Sequence, residues 1–175
     1  FKNMIRQLLE GLTFLHKQNI CHFDIKPENI LMEDNFDDKG HFPMICDFGI
    51  SKNFETEVQV TQNTVVGMRT QPYRPEFSTY SELGQKELDN QNTWDIFAWA
   101  IISIEVMSNK RVETSDEAIS VLKTEISNQL GPELVELLQK ALAKDPRDRP
   151  KDTVKFRDKV KKLTAVRKKS AGWEE

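Results

Sequence analysis

Apolar side chains at Met4, Ile5, Leu8, Leu9, Leu12 and Leu15 recur at helical spacing, so residues 1–17 are predicted to form an amphipathic helix with one face committed to a core. Three short apolar runs, 19–23, 29–32 and 43–46, have the length of strands, and the polar stretch 33–41 between the last two reads as a turn. From 47 to 76 no period is sustained and Thr, Gln and Asn are frequent; a loop this long inside a compact domain is usually functional. Helical periodicity then returns. Residues 94–107 read as a buried central helix, 115–128 and 132–142 as amphipathic helices, and 151–166 as a last, basic one. The chain is expected to be mainly α, with a few short strands around one loop, forming one unit over 1–166 and a charged tail or start of a linker over 167–175.

A length of 175 residues suits one core and is too short for two ordinary domains. The 25 basic and 28 acidic residues give a net charge of −3 and no overall basic field, so nucleic acid is not an expected partner. The most apolar stretch, 94–107, carries Asp95 and Glu105 and is shorter than the roughly 20 apolar residues a membrane span needs. No span is expected. Two cysteines, Cys21 and Cys46, are too few for a disulfide framework and point to a reduced, cytoplasmic setting. No secretory signal is visible, and the opening residue, Phe1 rather than Met, suggests a fragment.

The densest chemistry lies in His22-Phe23-Asp24-Ile25-Lys26-Pro27-Glu28-Asn29-Ile30-Leu31 and in Asp47-Phe48-Gly49. Phosphoryl transfer asks little covalent chemistry of a protein: it needs an oriented hydroxyl and cations that neutralise phosphate charge, so a few oxygen ligands on a rigid loop suffice. Asp24, Asn29 and Asp47 can supply such oxygens. The two segments resemble the catalytic loop H-R-D-L-x-x-x-N and the D-F-G of the protein kinases. The resemblance covers roughly 1–166 and implies the larger, helical C-terminal lobe of that family. It implies that Asp24 accepts or orients the proton of a substrate hydroxyl, that Asn29 and Asp47 ligate the Mg2+ of bound ATP, and that Lys26 steadies the transferring phosphate as in serine/threonine kinases. It also implies that His22 and Phe48 form the lower part of a structural stack tying the two loops together, and that Leu31 belongs to the nucleotide-side surface. Taken singly, Asp24 also reads as a turn cap, Lys26 as a solvated lysine and His22 as a packed core side chain.

Thr70-Gln71-Pro72-Tyr73-Arg74-Pro75-Glu76 resembles the peptide-docking end of a kinase activation segment, T-x-x-Y-x-A-P-E, with one residue missing before Pro75. That resemblance implies that Thr70 bonds near Asp24 and Lys26, that Tyr73 belongs to the docking strip, and that Glu76 pairs with Arg149 as a buried fold anchor. Asp95, in Trp94-Asp95-Ile96-Phe97-Ala98-Trp99-Ala100, resembles the family's buried aspartate that accepts backbone hydrogen bonds from the catalytic loop. A helix N-cap or first-turn acid is its simpler reading.

The pattern is broken in three places. Phe23 replaces the arginine that a phosphorylated loop would pair with, so weak dependence on loop phosphorylation is expected, with Thr56, Thr61 and Thr64 as candidate acceptors. Gly67 stands three residues before Thr70, and the alanine before Pro75 is lost, which leaves the docking shelf and substrate choice unread. Nothing resembles the glycine-rich loop, the strand lysine or its glutamate partner. The N-terminal lobe is thus expected to be absent and to be the partner of an apolar patch that includes Leu31 and Phe48, with the piece alone inactive. The function expected is ATP-dependent phosphoryl transfer to Ser or Thr hydroxyls of protein substrates once that lobe is joined. A catalytically silent, kinase-like binding module is the alternative, and a small-molecule kinase of the same fold a third, against which Pro75, Glu76 and Arg149 argue.

Overall fold

In the computed structural model, which describes residues 1–35, 40–49, 52–53, 72–75 and 91–165, the amphipathic face of the first segment becomes a core face. Helix α1 (Lys2–Lys17) buries Ile5, Leu8, Leu9 and Leu12 and ends where Asn19 turns left-handed at φ 57°. Lys17 lies in its last turn, where positive charge suits the helix dipole. Gly11 costs α1 some helical stability, but a Cβ there would stand 3.3 Å from Cδ1 of Ile45, so its absence admits the neighbouring strand.

The centre of the structure is α2 (Asn92–Ser108), whose residues are buried almost all round. A helix without a polar face belongs inside a core, and here the other elements wrap it. Trp99 is fully buried, its indole N–H donates to the Ile5 carbonyl of α1 at 2.8 Å, and its ring meets Phe156 edge-on with centroids 5.3 Å apart. The remaining α-helices among the described residues are α3 (Ser115–Val121), α4 (Ser127–Leu130), α5 (Pro132–Ala141) and α6 (Thr153–Thr164). The single helix expected over 115–128 is therefore interrupted by a π-helical turn, Leu122–Ile126, which keeps Leu122 and Ile126 both buried. The last helix is shorter than expected because Asp152, bonded to the Lys155 N–H at 2.9 Å, caps it at Thr153.

The strands are short. β1 (Ile20–Cys21) pairs antiparallel with β4 (Lys52–Asn53), and β2 (Ile30–Asn35) with β3 (Gly40–Ile45). The predicted turn over 33–41 is too long: Glu33↔Phe42, Asp34↔His41 and Asn35↔Gly40 are strand partners. Polar side chains do not stop a two-stranded hairpin, because its ladder is made by the backbone. β4 had no signal of its own, since a two-residue strand shows no period. Cys21 and Cys46 form no disulfide, and no helix among the described residues is long and apolar enough to cross a membrane.

Candidate active site

Asp95 sets the course of the loop that follows β1. It lies in the first turn of α2, 1% exposed, and its two carboxylate oxygens accept the main-chain N–H groups of His22 and Phe23, each at 2.8 Å. The N-cap of α2 is Gln91, without a side-chain cap bond, so Asp95 is not the cap. Its Oδ2 also meets Nε2 of His16 at 2.9 Å. The two amides lead directly into a strained point: Phe23 has φ 66°, a left-handed conformation that costs a bulky residue of order 1–3 kcal/mol.

Beyond Phe23 the loop folds back on Asp24. Pro27 opens a short 3-10 turn, Pro27–Asn29, that returns Asn29 to the aspartate. The Asn29 Nδ2 group donates to the Asp24 carbonyl at 2.8 Å and to its Oδ2 at 3.0 Å, and the Lys26 ammonium lies 2.8 Å from that same Oδ2. Both partners of the Asn29 nitrogen are acceptors, which assigns the amide orientation. A carboxylate, an ammonium and an amide oxygen are thereby held within one turn of chain, and Asn29 is only 4% exposed.

The second motif is tied to the first through His22. Its Nδ1 accepts the Asp24 N–H at 3.3 Å and its Nε2 donates to the Cys46 carbonyl at 3.0 Å, which requires the neutral Nε2–H tautomer. The Cys46 N–H in turn donates to the Asn29 carbonyl at 2.9 Å. Asp47 follows directly, left-handed at φ 61°, with its Oδ1 accepting the Gly49 N–H at 3.2 Å. Phe48 stands edge-on to His22, ring centroids 5.0 Å apart. An aspartate tolerates the left-handed region better than Phe23 does, because its short side chain can bond its own turn.

A family model described as the protein kinase domain matches residues 1–160. This chain belongs to the protein kinase domain family. It is 24% identical over 178 residues to the serine/threonine-protein kinase pkn3 of Myxococcus xanthus, covering 95% of this chain and 32% of that protein. It is 35% identical over 135 residues to mitogen-activated protein kinase 2 of Arabidopsis thaliana, covering 76% and 32%. Among solved structures it is similar to the Rad53 kinase domain crystallised with SCD2 and AMPPNP, at a TM-score of 0.57 and 18% identity, over 90% of this chain and 56% of that one. The chain thus spans about a third of the length of each of these two relatives.

Within this kinase domain, Leu31 and Met44 are cross-strand partners on one face of the β2–β3 hairpin and are 53% and 38% exposed. With Phe48, 47% exposed, they place apolar surface in water. A cavity of about 360 Å³ is lined by Met4, Pro27, Ile30, Ile102 and Val106 among others, and by none of Asp24, Lys26, Asn29 or Asp47.

Tyr73 is buried. Its hydroxyl donates to Glu105 Oε2 at 2.9 Å and accepts from Arg111, while Glu105 Oε1 takes the Val112 N–H at 3.0 Å. Burial, reinforced by the Glu105 carboxylate, pushes the Tyr73 hydroxyl well above the ordinary tyrosine range. Arg149 is buried, its Nε and NH2 donating to the carbonyls of Ala143 and Lys144 at 2.7 and 3.0 Å, with its guanidinium over the Phe97 ring. Its expected partner Glu76, and likewise Thr70, Thr56, Thr61, Thr64 and Gly67, lie outside the described residues.

Two working side chains escaped the sequence reading. Glu105 stands in an otherwise apolar helix, and a buried carboxylate there demands partners, which was the available signal. His16 continues the core row Ile5, Leu9, Leu12 of α1, and its placement on that row, not its residue type, marked it.

Proposed function

We propose that the chain is the C-terminal lobe, over 1–166, of an enzyme that transfers the γ-phosphoryl group of ATP to Ser or Thr hydroxyls of protein substrates when joined to a nucleotide-covering lobe. The observation that carries this reading is the bonded set Asp24–Lys26–Asn29, linked through His22 and Cys46 to Asp47. Asp24 would take the proton of the attacking hydroxyl, a contribution of typically 10²–10⁴-fold for a positioned base. Lys26 would screen the charge that gathers on the moving phosphoryl group, and its 2.8 Å contact with Asp24 supports that reading. Asn29 Oδ1 and the Asp47 carboxylate are hard oxygen donors of the kind Mg2+ takes while it keeps waters and phosphate oxygens, so the donor set fits that cation. Bound Mg2+ would supply charge neutralisation on the phosphates.

The exposed apolar surface at Leu31, Met44 and Phe48 supports a seat for the missing lobe, and the 175-residue chain alone is expected to be inactive. Phe23 in place of arginine makes this a kinase whose activity is proposed to need no phosphate on its loop. A cytoplasmic setting belongs to the same proposal, supported by two cysteines that form no disulfide. The test is phosphoamino-acid analysis after transfer of labelled phosphate from ATP by the joined protein: Mg2+-dependent phosphoserine or phosphothreonine, lost on Asp47→Asn, is expected. Nucleotide binding without transfer would instead make this a binding module.

A further inference from the structure

Asp95 holds the catalytic loop, and the structure also shows what holds Asp95. His16, at the end of α1, presents Nε2 to Asp95 Oδ2 at 2.9 Å and Nδ1 to the Thr153 hydroxyl at 2.9 Å. Thr153 opens α6 behind the Asp152 cap, and its oxygen lies 3.2 Å from Nδ2 of Asn92, at the start of α2, whose other bond runs to the Lys151 carbonyl at 2.6 Å. The carboxylate can only accept, so Nε2 carries hydrogen, and the Asn92 Nδ2 group can only donate, so the Thr153 oxygen accepts from it. The Thr153 hydroxyl keeps both a hydrogen and a second lone pair for His16 Nδ1, so it partners the ring in either protonation state. The result is a continuous chain of hydrogen bonds that runs from Asn92 through Thr153 and His16 to Asp95, of the kind in which each bond polarises the next. His16 and Thr153 are buried against it.

We propose that His16 and Thr153 are positioning residues for the catalytic loop. Through them the N-terminus of α6, more than a hundred residues along the chain, fixes the carboxylate that clamps the His22 and Phe23 amides and so maintains the left-handed turn before Asp24. A carboxylate free to rotate would still accept hydrogen bonds, but would no longer hold both amides in the geometry that aims Asp24. Loss of an orienting partner of this kind typically costs about 10- to 100-fold in function without a change in the groups that touch substrate.

The inference rests on the phosphoryl-transfer reading, and its test has two independent arms. In the joined protein, Thr153→Val is expected to lower kcat roughly tenfold with KM for ATP held, and Thr153→Ser to restore it; equal loss in both variants, or an unchanged kcat in Thr153→Val, overturns the relay. In the 175-residue chain, 15N spectra of the imidazoles are expected to show His16 with hydrogen on Nε2, and Thr153→Val is expected to speed amide exchange at His22 and Phe23 relative to the rest of the core. A His16 ring without hydrogen on Nε2, or unchanged exchange at the two amides, overturns it without any reference to activity. Absence of transfer by the wild-type joined protein, with the spectra and exchange as expected, would instead sink the enzymatic reading and leave the relay standing.

Discussion

The ring of Phe48 stands edge-on to the imidazole of His22, centroids 5.0 Å apart and planes at 61°, joining the loop that carries Asp24 to the turn that carries Asp47. Such a contact adds about 0.5–1.5 kcal/mol beyond burial. Because Phe48 is nearly half exposed, its loss should barely move global stability while loosening the turn at Asp47. Phe48→Ala in the joined protein should therefore weaken Mg-ATP binding measured by calorimetry, with a urea midpoint close to wild type. Unchanged nucleotide affinity would show the stack to be incidental.

Asp95→Asn leaves one oxygen where two amides and His16 need acceptors, so at least one buried donor must face an NH2 group. Buried hydrogen bonds to a charged partner are worth about 1.5–3 kcal/mol each, and the variant should lose about 3 kcal/mol by urea denaturation of the 175-residue chain. A loss under about 1 kcal/mol would mean the loop is held by other contacts.

The Tyr73 hydroxyl gives a pH signature. Its folded value is raised above the ordinary 10.0, so as pH climbs past 10 the unfolded chain sheds this proton first and stability falls. The contribution is fully present below pH 10 and lost above it. Tyr73→Phe should therefore be less stable than wild type at pH 8, where a hydrogen bond to Glu105 is lost, yet decline less steeply between pH 10 and 11. Thermal melts of the two proteins across that range check it; parallel curves would contradict the burial argument.

How legible was this from sequence? Periodicity placed α1 and α2 because their apolar residues repeat over several turns, and the motifs named Asp24, Lys26, Asn29 and Asp47 before any contact was known. What it missed has physical causes. The ends of β2 and β3 carry polar side chains on a ladder made by backbone atoms, so no side-chain pattern marks Asp34 or His41 as paired. The His16–Thr153 contact joins residues 137 positions apart, and only the folded chain brings them together. The motif around Tyr73 likewise gives no sign of the Glu105 carboxylate that accepts from its hydroxyl, 32 positions along the chain.

Phe23 fixes an expectation about regulation. A phosphate on Thr56, Thr61 or Thr64 would find no guanidinium at position 23, so phosphorylating any of them should leave kcat/KM of the joined protein essentially unchanged. Phe23→Arg should introduce a response to the same modification, provided the left-handed turn survives. A large gain on phosphorylation of the unsubstituted protein would refute the reading.

The central claim is that Asp24 works on the substrate hydroxyl from a site whose metal and nucleotide contacts are separate. Its most direct measurement is steady-state phosphate transfer to a Ser/Thr peptide by the joined protein carrying Asp24→Asn. The account predicts kcat lower by roughly 10²–10⁴-fold with Mg-ATP affinity retained, since Asn29 and Asp47 remain; transfer at the wild-type rate would contradict it.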